Sequence, residues 1–335
     1  MKKDKILLTI AIPTYNRPSE LRRTLLALLP QLDSEKCCRL VIIDNCSDTP
    51  AKEVYDGLDV PAETDERVFI SRNATNIGMG PNFLRCFESC LSDHLWILSD
   101  DDLPLEDALK TILGNLSNDA CFTYYAVPSL GTDIFKEGES SFVCGKSYGD
   151  LHERFSENYI HLAFISTGVY KMSHAKRYLR FAYSATPSLI PHVLLIFKML
   201  QDEGVWMLSR KSIAQPNENT HWGLMNFVLS TGCLLNQATT VEELSLIRRH
   251  MMQSFNPNPK VVLFSLLLIY PDAKTDLSSI RYVLRILKEM YSVSHKERFH
   301  WNIVLLWSYF PSLFKIYRTR KTKKTTTLNG DSNRI

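Results

Sequence analysis

The sequence lacks the cysteine patterns and the leader segment that mark several common classes of protein. None of its eight cysteines forms a CxxC pair, and no Cys/His cluster has zinc-finger spacing. The first five residues lead directly into a strand-like segment, without the apolar core of a secretory signal peptide. We therefore expect reduced thiols and a cytoplasmic protein.

Long apolar runs and a strong overall charge are missing as well. The runs at 261–270 and 301–314 are shorter than the roughly 20 residues that span a bilayer. Apolar residues make up 45% of the chain and charged residues 22%, which excludes wholesale disorder and collagen. The net charge of +3 divides into +6 on residues 315–335 and −3 on the rest, so a mildly acidic body precedes a basic tail.

Strands and helices alternate in the first third of the sequence. Short apolar segments predict strands at 6–12, 39–43, 67–71, 95–98 and 121–127. Helical periodicity begins at about Ser19, after Pro18, and returns over 82–91 and 105–116. This alternation predicts an α/β fold with a mostly parallel, Rossmann-like sheet, which binds ligands beyond the carboxyl ends of its strands.

The length of 335 residues exceeds what one hydrophobic core usually supports, so we expect several parts. The predicted parts are residues 1–127, residues 128–225, a helical C-terminal extension (226–314) and a basic, disordered tail (315–335).

Three adjacent carboxylates, Asp100, Asp101 and Asp102, follow the apolar strand at 95–98. Their mutual repulsion calls for a compensating cation, and Mg²⁺ and Mn²⁺ prefer such oxygen ligands. The alternative is a solvated acidic turn before the next helix.

Two further polar segments follow strands. Asp44 comes after the second strand and is suited either to binding a ribose or base edge or to an Asx turn. The glycine-rich segment 76–82 opens a helix, where backbone amides can meet an anion. The alternative there is a helix N-cap at Asn82.

Four segments together resemble the successive signatures of family 2 glycosyltransferases: TIAIPTYNRP (9–18), VIIDNCSD (41–48), RNATNIGMGPN (72–82) and WILSDDD (96–102). The resemblance implies a GT-A fold, the nucleotide-diphospho-sugar transferase fold. In that fold residues 1–127 would form the nucleotide-sugar-binding half and residues 128–225 the acceptor-binding half. It also implies inverting transfer of a sugar from a nucleotide-diphosphate donor, with Mn²⁺ or Mg²⁺ as cofactor.

The same resemblance assigns residues to roles. The nucleotide-sugar pocket is expected from a set spread over the four segments: Pro13, Thr14, Tyr15, Arg17, Asp44, Arg72, Asn76, Gly78 and Asp100. Asp101 and Asp102 are the expected metal ligands, in the position of the DXD motif. Its register stays open, because Asp100 with Asp102, or Asp101 after Ser99, also fits the pattern.

The family's usual acidic pair for the catalytic base is missing downstream. His192 stands in the expected place, at the head of an apolar helix, and resembles the pattern of an abequosyltransferase-like subgroup. Histidine is a competent general base, although a helix-start histidine without a role is the alternative. His221 and Trp222 lie in a predicted acceptor loop, with Glu218 and His221 as further candidates for the base.

The aromatic run at 301–314 beside the basic tail favours peripheral contact with the inner membrane surface, or else a core helix. The expected partners are a nucleotide-sugar donor and a glycan acceptor, lipid-linked in bacterial surface polysaccharide synthesis such as O-antigen or capsule. Nucleic acid is not expected. Two alternatives stay open: a catalytically silent sugar- or lipid-binding scaffold, and a nucleotidyltransferase.

Overall fold

The structure is a computed structural model. It describes residues 5–116, 119–127, 134–135, 138–146, 148–155, 160–186, 188–201, 204–217, 281, 284–285, 287–289 and 294–310.

The described residues alternate between strands and helices. The strands are β1 (Leu8–Thr14), β2 (Cys38–Asp44), β3 (Val68–Arg72), β4 (His94–Ile97), β5 (Leu103–Pro104), β6 (Phe122–Tyr125), β7 (Phe142–Gly145), β8 (Gly168–Lys171), β9 (Trp206–Ser209) and β10 (Ala214–Gln215). The helices are α1 (Pro18–Ser34), α2 (Ala51–Asp56), α3 (Ala62–Asp65), α4 (Met79–Ser89), α5 (Ala108–Leu113), α6 (Tyr148–Phe155), α7 (Ile160–Ala163), α8 (Met172–Ser184), α9 (Pro191–Gln201) and α10 (His295–Trp307). A 3₁₀ turn, Ile165–Thr167, precedes β8.

Eight of the strands form one sheet in the order β3-β2-β1-β4-β8-β6-β9-β7. Strands β1 to β4 are parallel, and β6 and β9 are parallel to each other. β8 pairs antiparallel with both β4 and β6, and β7 pairs antiparallel with β9. The predicted mostly parallel α/β sheet is therefore confirmed, and each of the five predicted strands is present.

Helix α1 illustrates how the sequence forms a helix that packs on the sheet. Proline at its first position suits the helix start, because the missing N–H has no partner there in any case. One stripe of its leucines is buried against β1 and β2: Leu21, Leu25, Leu28 and Leu32. This helix therefore packs on one face of the sheet.

The second half of the chain completes the same sheet. β8 separates β4 from β6, so the boundary expected at residue 127 divides one continuous sheet. The short pair formed by β5 and β10 places residues 214–217 beside the segment that follows Asp102. Residues 214–217, from the second half of the chain, are thus brought to the edge of the sheet where β4 ends.

By its internal contacts the chain divides into two units: residues 1–221 with 237–239, and residues 222–236 with 240–335. In the second unit, α10 begins with a capping box between Ser294 and Glu297. Its Trp301 is buried, whereas Phe299 and Leu306 are more than half exposed. None of the helices in the described part of the chain combines the length and apolar character needed to cross a membrane.

Candidate active site at the carboxyl edge of the sheet

The register of the sheet brings the predicted site residues together. Thr14, Asp44 and Arg72 are register neighbours at the ends of β1, β2 and β3. The segment after β4 carries the three aspartates, and β4 lies beside β1. Four segments distant in sequence therefore meet at one edge, as expected for parallel strands.

The three aspartates are buried, with 4%, 5% and 2% of Asp100, Asp101 and Asp102 exposed. The solvated acidic turn, the alternative interpretation, is therefore wrong. Burial is tolerated because each of the three side chains accepts hydrogen bonds, and Asp100 and Asp101 are also paired with an arginine. Arg17 Nη1 lies 3.1 Å from Asp100 Oδ1 and 2.7 Å from Asp101 Oδ2.

Donors from the end of β1 and from α1 hold this segment. Thr14 Oγ1 donates to Asp100 Oδ2 at 2.7 Å. Thr24 Oγ1 lies 2.9 Å from the backbone carbonyl oxygens of both Asp100 and Asp102. The loop after β4 is therefore held by side chains that the sequence pattern does not single out, such as Thr24.

Asp102 is held by neutral donors from the second half of the chain. Ser166 Oγ donates to its Oδ2 at 2.6 Å, and the Asn217 N–H donates to its Oδ1 at 3.1 Å. Burial raises the pKa of Asp102 to about 7, against the opposing effect of these bonds, while the charge of Asp101 raises it further. Burial likewise raises the pKa of Asp100 to about 6, although Arg17 and Thr14 act in the opposite direction. A carboxylate with a raised pKa gains from a nearby cation.

The donor set suits a hard divalent cation. No group of three or more His, Cys, Asp and Glu is arranged to hold a metal ion among the described residues. Mg²⁺ often takes only one or two protein carboxylates, together with substrate phosphates and water. Each oxygen of Asp101 and Asp102 accepts one hydrogen bond, from Ser99, Arg17, Ser166 or Asn217, and keeps a second lone pair. The residues therefore fit such an ion by donor type.

Asp44 organises the neighbouring strand end. It is 1% exposed, and its carboxylate accepts bonds from the N–H groups of Ser47 and Ala51 and from Arg72 Nη1 at 2.7 Å. Burial acts to raise the pKa of Asp44, but these bonds outweigh it and the pKa is lowered. Asp44 is therefore ionised at neutral pH and already engaged with Arg72.

A network of asparagines fixes the glycine-rich turn. Asn45 Nδ2 donates to Asn76 Oδ1 at 2.8 Å, and Asn45 Oδ1 accepts from the Ile77 N–H. Asn73 Nδ2 joins Asn45 to Asn82. The network connects the ends of β2 and β3 to the start of α4.

Helix α4 does not begin where an N-cap at Asn82 would place its start. Asn82 is not the N-cap, because α4 begins at Met79 and Gly78 occupies the cap. Gly78 has φ = 90°, a conformation that an L side chain rarely adopts, and this explains the glycine. Asn82 instead donates its side-chain N–H to the Ile43 carbonyl.

The loops after β1 and β2 are joined side by side. Asn16 Oδ1 accepts from the Asp48 N–H at 2.7 Å, and the Asn16 N–H donates to Ser47 Oγ at 2.9 Å. Asn16 and Cys46 both have positive φ, which these turns require. Pro13 and Thr14 are the last two buried residues of β1, and Tyr15 directly after them is 42% exposed.

His192 lies away from solvent. It is 0% exposed, its Nε2 donates to the Leu162 carbonyl at 3.1 Å, and its Nδ1 has no partner among the described residues. Burial lowers the pKa of His192 to about 4, and the bond to Leu162 acts in the opposite direction. The general-base role of His192 stays a prediction, since the ring as placed presents no accessible nitrogen to an acceptor. His221, Trp222 and Glu218 lie outside the described residues.

Comparisons with known proteins identify the family and the fold of the chain. The family model described as "Glycosyl transferase family 2" matches residues 9–183. Abequosyltransferase RfbV of Salmonella typhimurium (strain LT2) is 30% identical over 123 residues, which cover 34% of each chain. The match thus spans about a third of the length of that curated relative.

Solved structures share the fold. S. aureus TarS 1-349 in complex with UDP has a TM-score of 0.56 at 16% identity, covering 93% of this chain and 91% of that one. Mannosyltransferase PcManGT from Pyrobaculum calidifontis, in complex with GDP-Man and Mn²⁺, has a TM-score of 0.50 at 10% identity, covering 94% and 88%. At such identities the likeness shows the fold alone.

Proposed function

Because the chain belongs to glycosyl transferase family 2, we propose that it transfers a sugar, with inversion, from a nucleotide-diphosphate donor to a glycan acceptor. One observation carries the proposal: the ends of β1, β2, β3 and β4 place the predicted donor-binding residues in one hydrogen-bonded edge. Relatives of this fold are solved with UDP and with GDP-Man.

The nucleotide is proposed to lie over the joined loops after β1 and β2. Tyr15 is exposed enough for its ring to pack on a base. Asp44 and Arg72 form one wall through their ion pair, whose arginine side chain is 39% exposed. The asparagine network keeps the turn at Asn76 and Gly78 in place as the second wall.

Asp101 and Asp102 are proposed to hold Mn²⁺ or Mg²⁺ between the protein and the donor diphosphate. The ion would supply positive charge where negative charge develops on the leaving nucleoside diphosphate. Arg17 adds a second cation at the same place, since its half-exposed guanidinium already lies against Asp100 and Asp101. Asp100, held by Thr14, is proposed to face the ribose.

Deprotonation of the acceptor hydroxyl is the remaining role. We propose three candidates for this general base: His192, Glu218 and His221. His192 Nε2 already donates to the Leu162 carbonyl, so a base role for His192 requires its Nδ1 to become accessible. Glu218 and His221 follow Asn217 in sequence, and the Asn217 N–H binds Asp102.

A donor screen tests the proposal directly. The protein is incubated with UDP-, GDP-, dTDP- and CDP-sugars and Mn²⁺, and release of nucleoside diphosphate is measured. Replacing Asp101 and Asp102 together by alanine should abolish release, whereas Asp119→Ala, a change at an exposed carboxylate, serves as the matched control. Release that persists in the double variant would refute the metal assignment, and the absence of release with every donor would favour a silent scaffold.

The acceptor is proposed to be a lipid-linked glycan intermediate of bacterial surface polysaccharide synthesis, reached at the inner membrane surface. Helix α10 supports surface contact, because Phe299 and Leu306 are exposed on it and Lys296 and Arg298 flank its start. Sedimentation with vesicles containing anionic lipid should carry part of the protein down at low salt and less at high salt. Protein that stays wholly in the supernatant at low salt contradicts this part.

A further inference from the structure

Ser166 connects the second half of the chain to the acidic segment after β4. It lies in the 3₁₀ turn before β8 and is fully buried. Its Oγ accepts from the Ser99 N–H at 2.9 Å and donates to Asp102 Oδ2 at 2.6 Å. Its carbonyl oxygen accepts from Trp96 Nε1 at 2.9 Å. Both the backbone and the side chain of Ser166 are therefore tied to the end of β4.

These bonds fix the direction in which the serine proton points. The Ser99 N–H can only donate, so the single hydroxyl hydrogen of Ser166 remains for Asp102. The carboxylate oxygen that accepts this hydrogen is thereby fixed in direction, and the Asn217 N–H binds the other oxygen. The Asp102 side chain is therefore held at both oxygens.

The partners of the Asp102 carboxylate differ from those of Asp100 and Asp101. Asp100 and Asp101 share the guanidinium of Arg17. The two groups that donate to Asp102, the Ser166 hydroxyl and the Asn217 amide, are uncharged. Asp102 is thus held in position by two donors that bring no positive charge of their own, which suits a ligand of a divalent cation.

We propose that Ser166 is a positioning residue, which orients Asp102 as a ligand of the divalent cation. The inference deepens the proposed function and rests on it. Groups that orient a metal ligand change metal affinity without touching the metal themselves, because a ligand free to rotate must be ordered on binding.

The test measures binding of Mn²⁺ alone, from the electron paramagnetic resonance signal of the free ion. Ser166→Ala should weaken Mn²⁺ binding by about 10- to 100-fold. Ser92→Ala is the matched control, since it removes a buried serine hydroxyl that bonds to Thr9 and the His94 carbonyl at the other end of β4. Equal Mn²⁺ affinity in Ser166→Ala and the wild type overturns the proposal.

A second variant guards against a change that merely disturbs folding. Ser166→Cys keeps a side chain of similar size and replaces the hydroxyl by a weak donor, so it should also weaken Mn²⁺ binding. Thermal unfolding without metal identifies any variant that is not folded. A folded Ser166→Cys protein with wild-type Mn²⁺ affinity contradicts the proposal as firmly as the alanine variant would.

Asp102→Ala separates this inference from the proposed metal site. If Ser166 acts through Asp102, adding Ser166→Ala to Asp102→Ala should cause no further loss of Mn²⁺ affinity. Wild-type protein that binds Mn²⁺ no better than Asp102→Ala refutes the metal site, and the role of Ser166 with it. Wild-type binding that depends on Asp102 but not on Ser166 refutes the positioning role alone.

Discussion

Replacing His192 by glutamine distinguishes two roles for this residue. One is that of a buried anchor, a hydrogen-bond donor that holds the Leu162 carbonyl, and the other is that of a general base. Glutamine Nε2 can donate the bond that His192 Nε2 gives to the Leu162 carbonyl, but glutamine does not titrate. We expect the variant to fold and to keep turnover within about tenfold of the wild type, because the ring is fully buried with Nε2 already engaged. General-base catalysis contributes about 10²–10⁴-fold, so the two roles are well separated.

The pH dependence of the free energy of unfolding provides a second, independent test of the burial of His192. Burial lowers the pKa of His192 from 6.5 to about 4. The unfolded chain therefore takes up a proton between these values that the folded protein refuses, so folded stability falls as pH drops from about 6.5 to 4. The interval corresponds to about 3.5 kcal/mol, at about 1.4 kcal/mol per pKa unit. His192→Gln should remove this loss.

The assay compares urea unfolding at pH 7.5 and pH 4.5, followed by tryptophan fluorescence. The stability of the glutamine variant relative to the wild type should rise by about 2–3 kcal/mol at the lower pH. If the free energies of unfolding of the variant and the wild type differ by the same amount at both pH values, the interpretation of His192 as a buried, neutral histidine is refuted. For turnover the matched control is His161→Gln, also at a buried histidine. A loss of about 10²-fold or more in His192→Gln alone, with donor binding intact, refutes the anchor and establishes the base.

Three further changes test the walls of the site. Asp44→Asn should lower the free energy of unfolding by about 2 kcal/mol at pH 7, because charge-assisted bonds to Arg72 and two backbone amides are weakened. Since the folded pKa of Asp44 is lowered, the difference in urea unfolding should persist above pH 4 and disappear as pH falls further; a difference that grows on acidification contradicts this. Gly78→Ala should cost about 1–2 kcal/mol, because φ = 90° is strained for alanine, and calorimetric titration should show weaker nucleotide binding, whereas wild-type affinity would place the nucleotide elsewhere. Arg17→Gln should lower the unfolding temperature without metal, and Mn²⁺ should raise that temperature more than in the wild type; a smaller rise would show that Arg17 assists metal binding.

The sheet and the position of the site could be predicted from local sequence. Each of the strands β1 to β4 is a short apolar run followed directly by polar residues, and this pattern is visible without any tertiary information. Because parallel strands end at the same edge, the meeting of Thr14, Asp44 and Arg72 follows from the pattern alone.

The partners of these residues could not be predicted in the same way. Ser166 binds Asp102 across 64 positions of sequence, and no local motif marks a serine in a 3₁₀ turn as such a partner. Asparagine favours helix caps, which makes Asn82 the alternative N-cap from local sequence, whereas the positive φ of Gly78 lets α4 begin at Met79. Burial of the aspartates depends on α1 and on residues 214–217, which only the fold brings together.

Because β8 lies between β4 and β6, it limits the positions at which this chain can be joined to a relative in a chimera. β4 pairs with β1 and β8, and β6 pairs with β8 and β9, so a fragment ending at residue 127 would leave β6 without either neighbour and β4 with an open edge. Exchanging residues 1–127 between relatives to alter donor choice would therefore cut through a cooperative unit. Chimeras joined near residue 221, where the first compact unit ends, preserve every strand pairing of the eight-stranded sheet.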